Sequence, residues 1–91
     1  MNNIIPTKIL KDDRNIYIFR IENNNLIIQA THVLYILKDL EKQIYDLIDW
    51  NNTIWDILSK ISIDYNISIL EIESDIINFL ENLKEKKLIN F

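Results

Sequence analysis

The chain has 91 residues, 48% of them apolar, and carries a formal net charge of −4 with a sequence pI near 4.8. That is enough chain for one domain, residues 1–91, with a modest core and marginal stability. It contains no cysteine and no glycine, which excludes disulfides, thiol chemistry and a glycine-built phosphate loop.

No apolar run approaches the roughly 18 residues needed to cross a membrane. The acidic balance is also wrong for a protein that must displace counterions from nucleic-acid phosphates. The first residues, Met1-Asn2-Asn3-Ile4-Ile5-Pro6, lack the basic start and long apolar stretch of a secretory signal. With the absence of cysteine, this points to the cytoplasm. Without glycine, turns must rely on asparagine and aspartate, which tolerate positive φ.

In chain order, residues 4–10 offer a short strand that Pro6 confines to an edge or a start. Asn15 to Glu22 is dense in β-branched and aromatic residues and predicts a strand. Asn23-Asn24-Asn25 follows as a turn, and Leu26 to Gln29 as a second strand. Ala30-Thr31-His32 is short enough for a tight hairpin connection into a third strand, Val33 to Leu37. Strands joined this closely predict an antiparallel meander.

Near residue 38 the pattern changes from strands to helices. Asp39 to Asp49 carries apolar residues at 40, 44, 47 and 48, one stripe of a helix. Thr53-x-x-Asp56 reads as a capping box with aspartate in place of glutamate, and Ile54, Ile57, Leu58 and Ile61 form the buried stripe behind it. Ser68-x-x-Glu71 is a capping box that opens a third helix running to about Lys86. Glu71, Glu73 and Asp75 sit near the positive end of that helix, and Lys84, Lys86 and Lys87 near its negative end. Leu88-Ile89 closes the chain against the core. The order βββααα predicts an α+β fold resembling a winged helix-turn-helix with the sheet leading.

Positive evidence for catalysis is lacking. His32 is a single imidazole in a turn, without partners at metal-ligand spacing, so no metal or cofactor is implied. The carboxylates fall on helix starts and solvent faces, where capping accounts for them. Ser59, Ser62, Ser68 and Ser74 have no histidine in a readable triad. The run Lys84-Glu85-Lys86-Lys87 reads as a solvated helix end. Trp50, in a connection, and Trp55, off the buried stripe, are either partner anchors or lids on a small core.

Two apolar surpluses remain. On the third helix, Ile72, Ile76, Phe79 and Leu83 make one continuous face, and Ile69, Leu70, Ile77 and Leu80 widen it. The excess around Ile69, Glu73 and Ile77 either lines a second groove or packs under the sheet. The third strand, Val33-Leu34-Tyr35-Ile36-Leu37, is apolar on both faces and is expected at the sheet edge. Such an edge aggregates unless covered, and proteins use edges of this kind to bind an extended peptide by strand addition.

These residues resemble the PqqD-like family of recognition elements for ribosomally synthesised, post-translationally modified peptides. The likeness covers about residues 26–89: a strand ending in Leu37; Ile44-Tyr45, Leu47 and Asp49; Thr53-Ile54-Trp55-Asp56-Ile57 with Leu58 and Tyr65; Asp75-Ile76-Ile77-Asn78-Phe79-Leu80-Glu81-Asn82-Leu83; and Leu88-Ile89. The family often has asparagine at the position of Lys38, and glycine at those of Trp50 and Lys87.

The resemblance implies that a precursor leader peptide adds as an antiparallel strand to the third strand. Backbone groups of Val33 to Leu37 would bind it, namely those of Val33, Leu34, Tyr35, Ile36 and Leu37. Ile69, Glu73, Ile76 and Ile77 would line the side-chain pocket, with Lys38 and Glu73 setting register or polarity. It further implies a separate maturation enzyme, a radical SAM enzyme or the leader protease of a lasso-peptide pathway, and permits a homodimer. Neither a nucleic acid nor a membrane is an expected partner. The competing readings are a winged-helix DNA-binding regulator, disfavoured by the acids at the start of the third helix, and a small dimerisation subunit that pairs through its edge strand.

Overall fold

The computed structural model describes residues 3–91. Its elements are β1 (Thr7–Lys8), β2 (Ile18–Glu22), β3 (Asn25–Gln29), β4 (Leu34–Leu37), α1 (Asp39–Leu47), α2 (Ile54–Tyr65), α3 (Ile69–Glu85) and β5 (Ile89–Asn90). The expected βββααα order is present. Two short strands frame it, because β1 pairs antiparallel with β5 and ties the start of the chain to its end. β1 begins directly after Pro6, the place where a residue without an N–H can stand.

The main sheet has the order β2-β3-β4, antiparallel throughout. Asn23 and Asn24, at φ 51° and 65°, form the two-residue hairpin turn. Asn25, expected in the turn, already pairs with Glu22. The first strand is shorter than Asn15–Glu22. Tyr17 N–H bonds to Leu10 C=O and Ile16 bridges to Lys11, so residues 15–17 serve a preceding hairpin instead. Val33 also falls outside its strand, because its carbonyl accepts from Ala30 N–H and closes the β3–β4 turn.

Each helix starts where its polar residues satisfy free N–H groups. At α2, Thr53 Oγ1 accepts from Asp56 N–H at 3.0 Å, and Asp56 accepts from Thr53 N–H at 2.9 Å, the expected box. Ser68 caps α3 differently from the expectation: its hydroxyl accepts from Leu70 N–H at 3.3 Å, one residue earlier than a box requires. At α1, Glu41 reaches back to Lys38 N–H at 3.3 Å. That helix ends at Leu47, two residues short of Asp49, and Asp49 instead organises the next turn by accepting from Asn51 and Asn52 N–H.

One hydrophobic cluster joins sheet and helices. It contains Leu26, Ile28 and Leu37 from the sheet, Ile44, Tyr45 and Ile48 from α1 and its end, and Ile54, Ile57, Leu58 and Ile61 from α2. Ile76, Leu80, Leu83, Leu88 and Ile89 complete it from the last third of the chain. Among the described residues, no helix is long and apolar enough to cross a membrane.

Candidate functional site

Among the described residues, β4 hydrogen-bonds to β3 alone, so its other side is an open edge. The bond from Ala30 N–H to Val33 C=O fixes which backbone groups lie there. In an antiparallel pair, residues alternate between bonding their partner and facing away. With Ile28 opposite Tyr35 and Leu26 opposite Leu37, Tyr35 and Leu37 follow Val33 in bonding toward β3. The N–H and C=O groups of Leu34 and Ile36 therefore point to the open side.

Side chains alternate across the sheet faces. Tyr35 and Leu37 share the core face with Ile28 and Leu26, and Leu37 is buried. Leu34 and Ile36 lie on the outer face, 47% and 48% exposed, near Ile18 at 58%. Ile27, opposite Ile36, is the buried centre of that outer face. Arg20 crosses it, pairing with Glu22 at 3.0 Å and donating to Gln29 at 2.6 Å.

Beside the open edge lies a groove of about 300 Å³ between β4 and the last turns of α3. Leu34 to Leu37 form one wall; Phe79, Asn82, Leu83 and Lys86 form the other, with Leu88 and Glu41 also lining it. A larger hollow of about 550 Å³ continues past Tyr35 and Lys86 toward the loop of Asp12 to Asn15 and the end of α3. Asp12 organises that loop by accepting from Arg14 N–H, Asn15 N–H and the Tyr17 hydroxyl. These bonds, led by the one from Arg14, hold the Asp12 carboxyl below its usual range, while burial and the nearby Asp12 push the Tyr17 phenol up.

Of the residues singled out from sequence, Leu34, Tyr35, Ile36 and Leu37 line the groove. Val33 lines the larger hollow. Lys38 is exposed at the helix cap and lines neither. Ile69, Glu73, Ile76 and Ile77 do not line the groove; Ile76 is in the core, while Ile69 and Ile77 pack against it. The first turn of α3 lies too far away, since Ile69 precedes Phe79 by about 15 Å of helix. The C-terminal end of α3 lies beside β4, and the segment after it is tied to the segment before β2 by Ile9 N–H to Leu88 C=O and by the β1–β5 pair. Phe79, Asn82, Leu83 and Lys86 are the residues that sequence reasoning missed. Periodicity places Phe79 and Leu83 on the core-facing stripe, and the charge run makes Lys86 part of a solvated helix end.

The lysine run is exposed but not idle: Lys84 Nζ sits 4.6 Å from the Phe91 ring centroid, and Lys86 Nζ 5.4 Å from that of Tyr35. Trp50 and Trp55 are both about half exposed. Trp50 borders a separate apolar hollow with Lys8, Leu10, Phe19, Leu26, Tyr45 and Asp46. No group of three or more histidine, aspartate and glutamate side chains that could hold a metal ion occurs among the described residues.

No family model, curated protein or solved structure matches the chain.

Proposed function

We propose that this domain captures an extended peptide, the leader segment of a ribosomally made precursor, and presents it to a separate maturation enzyme in the cytoplasm. The observation that carries the proposal is the open edge of β4, whose Leu34 and Ile36 backbone groups stand unpaired beside a groove floored by α3. An edge of this kind gives affinity through backbone pairing, while the groove selects alternate side chains. The resemblance to PqqD-like recognition elements supports the same reading. So do two backbone details: Trp50 and Lys87, at positions where that family often has glycine, have φ of 67° and 61°, the region glycine favours.

A guest running antiparallel to β4 buries little area and loses entropy on ordering, so its dissociation constant is expected near the micromolar range. The test is fluorescence polarisation with labelled leader segments of short precursor genes encoded beside this one. Saturable binding below about 10 μM is expected, and Ile36→Pro, which removes one outward N–H and leaves the β3 ladder intact, should weaken it at least about tenfold. Flat titrations to about 100 μM with every such leader would overturn the proposal.

A second reading draws on the exposed Leu34 and Ile36 of β4, by which two copies would pair through the same edge. Sedimentation would then show a dimer that the leader fails to dissociate.

A further inference from the structure

Tyr35 and Lys86 are the two residues that line both the groove and the larger hollow beside β4. They stand where the two meet, with Lys86 Nζ 5.4 Å from the centroid of the Tyr35 ring. The lysine is placed there by the C-cap of α3, and the ring by the core face of β4. Any strand that docks on Leu34 and Ile36 passes directly against this pair.

Among the described residues the ammonium has no carboxylate within ion-pair distance. The one ion pair among the described residues joins Arg20 to Glu22 on the outer face of the sheet. Asp12, in the adjoining hollow, is turned into its own loop by the bonds from Arg14, Asn15 and Tyr17. Glu85 neighbours Lys86 in sequence and so does not face it on the helix. Asp13 also lines the hollow, and Glu41, which accepts from Lys38 N–H, lines the groove, but neither is paired with Lys86. What Lys86 meets is an aromatic face, a weaker partner than a carboxylate when water is displaced.

We infer that Lys86 is a specificity-determining residue of the groove and that the guest carries an aspartate or glutamate opposite Tyr35. This rests on the peptide-capture reading above. Because Leu34 and Ile36 make the backbone bonds, the guest residue opposite Tyr35 occupies a non-hydrogen-bonded pair, where cross-strand side chains approach most closely. The residue opposite Leu37 lies on the same face, two positions away, beside Phe79, Leu83 and Leu88. β4 runs toward α1, so an antiparallel guest reaches Leu37 first. Its recognition pattern is therefore apolar-x-acid, read from its N-terminus.

A displayed library of random decapeptides, selected against the full chain, tests this without knowledge of the natural guest. The wild type should retain a pool enriched in apolar-x-Asp or apolar-x-Glu. Replacing that acid by its amide should weaken binding about three- to tenfold, less at high salt. Lys86→Glu should instead retain peptides with lysine or arginine at the same position. Lys86 is exposed, so both chains should give the same circular dichroism. A retained pool that depends on the β4 edge (lost with Ile36→Pro) but shows no acidic preference, or keeps that preference against Lys86→Glu, overturns this inference and leaves peptide capture standing. If the wild type retains no pool, peptide capture fails and this inference with it.

Discussion

Asn23, Asn24, Asp39, Trp50, Asn66 and Lys87 all adopt positive φ in a chain that has no glycine. Asparagine and aspartate tolerate that region because a short polar side chain bonds locally. Asn66 ends α2 in this way, in the left-handed conformation, with its N–H bonded back to Ile63 C=O. Trp50 and Lys87 have no such help, and a left-handed residue with a full side chain costs on the order of 1 kcal/mol. Lys87→Gly should therefore stabilise the domain by about 0.5 kcal/mol after the added freedom of the unfolded chain is counted, a rise of about 2–4 °C in a thermal melt. Trp50→Gly relieves the same strain but removes a ring that Lys8 Nζ approaches at 5.9 Å, so its gain should be smaller.

Among the elements, α2 and β4 show how local chemistry fixes position. Thr53 and Asp56 satisfy each other's N–H groups at the start of α2. Thr53→Ala should cost about 1 kcal/mol, seen as a lower denaturation midpoint with an unchanged slope in urea. β4 distinguishes its two backbone sides by the alternation that the Ala30–Val33 bond sets. Proline at Tyr35 breaks a bond to β3 and should destabilise the fold by about 1–3 kcal/mol. Proline at Ile36 should leave the melt nearly unchanged and affect binding alone. Reversal of that pattern would show that the register, and with it the identity of the open backbone groups, is wrong.

For the whole molecule, stability is bounded by titration at both ends of the pH scale. Backbone and side-chain donors hold Asp12, Asp49 and Asp56 below the ordinary aspartate value of 3.8: Arg14 leads for Asp12, Asn52 for Asp49 and Thr53 for Asp56. A depressed carboxyl contributes stability that is present above the unfolded value and lost as pH falls through the folded one. Denaturation midpoints should hold from pH 5 to 8 and drop below about pH 4. Tyr17 and Tyr45 are raised above the ordinary value of 10.0, chiefly by burial. Their contribution is present below that value and lost as pH rises past it, so the midpoint should fall again above about pH 10. A melt that stays flat from pH 3 to 11 would contradict both assignments.

The order of strands and helices was legible in the sequence because period-2 and period-3.6 patterns are properties of neighbouring residues. So were the asparagine turn, the Thr53 cap and the position of the third strand at an edge. Element ends were not: Asn15 to Tyr17 look like strand, yet bond to residues 10–12, in a hairpin turned by Asp12 to Asn15 whose first arm has no strand pattern of its own. The floor of the groove was also beyond local reading. Periodicity says which face of α3 is apolar, but not which end of it meets β4. That was decided by tertiary packing, which sets Phe79, Leu83 and Leu88 beside Tyr35 and Leu37, residues far away in the sequence. That packing brings Phe79 and Lys86 to the open edge and leaves Ile69 about 15 Å of helix away, a consequence of tertiary closure alone.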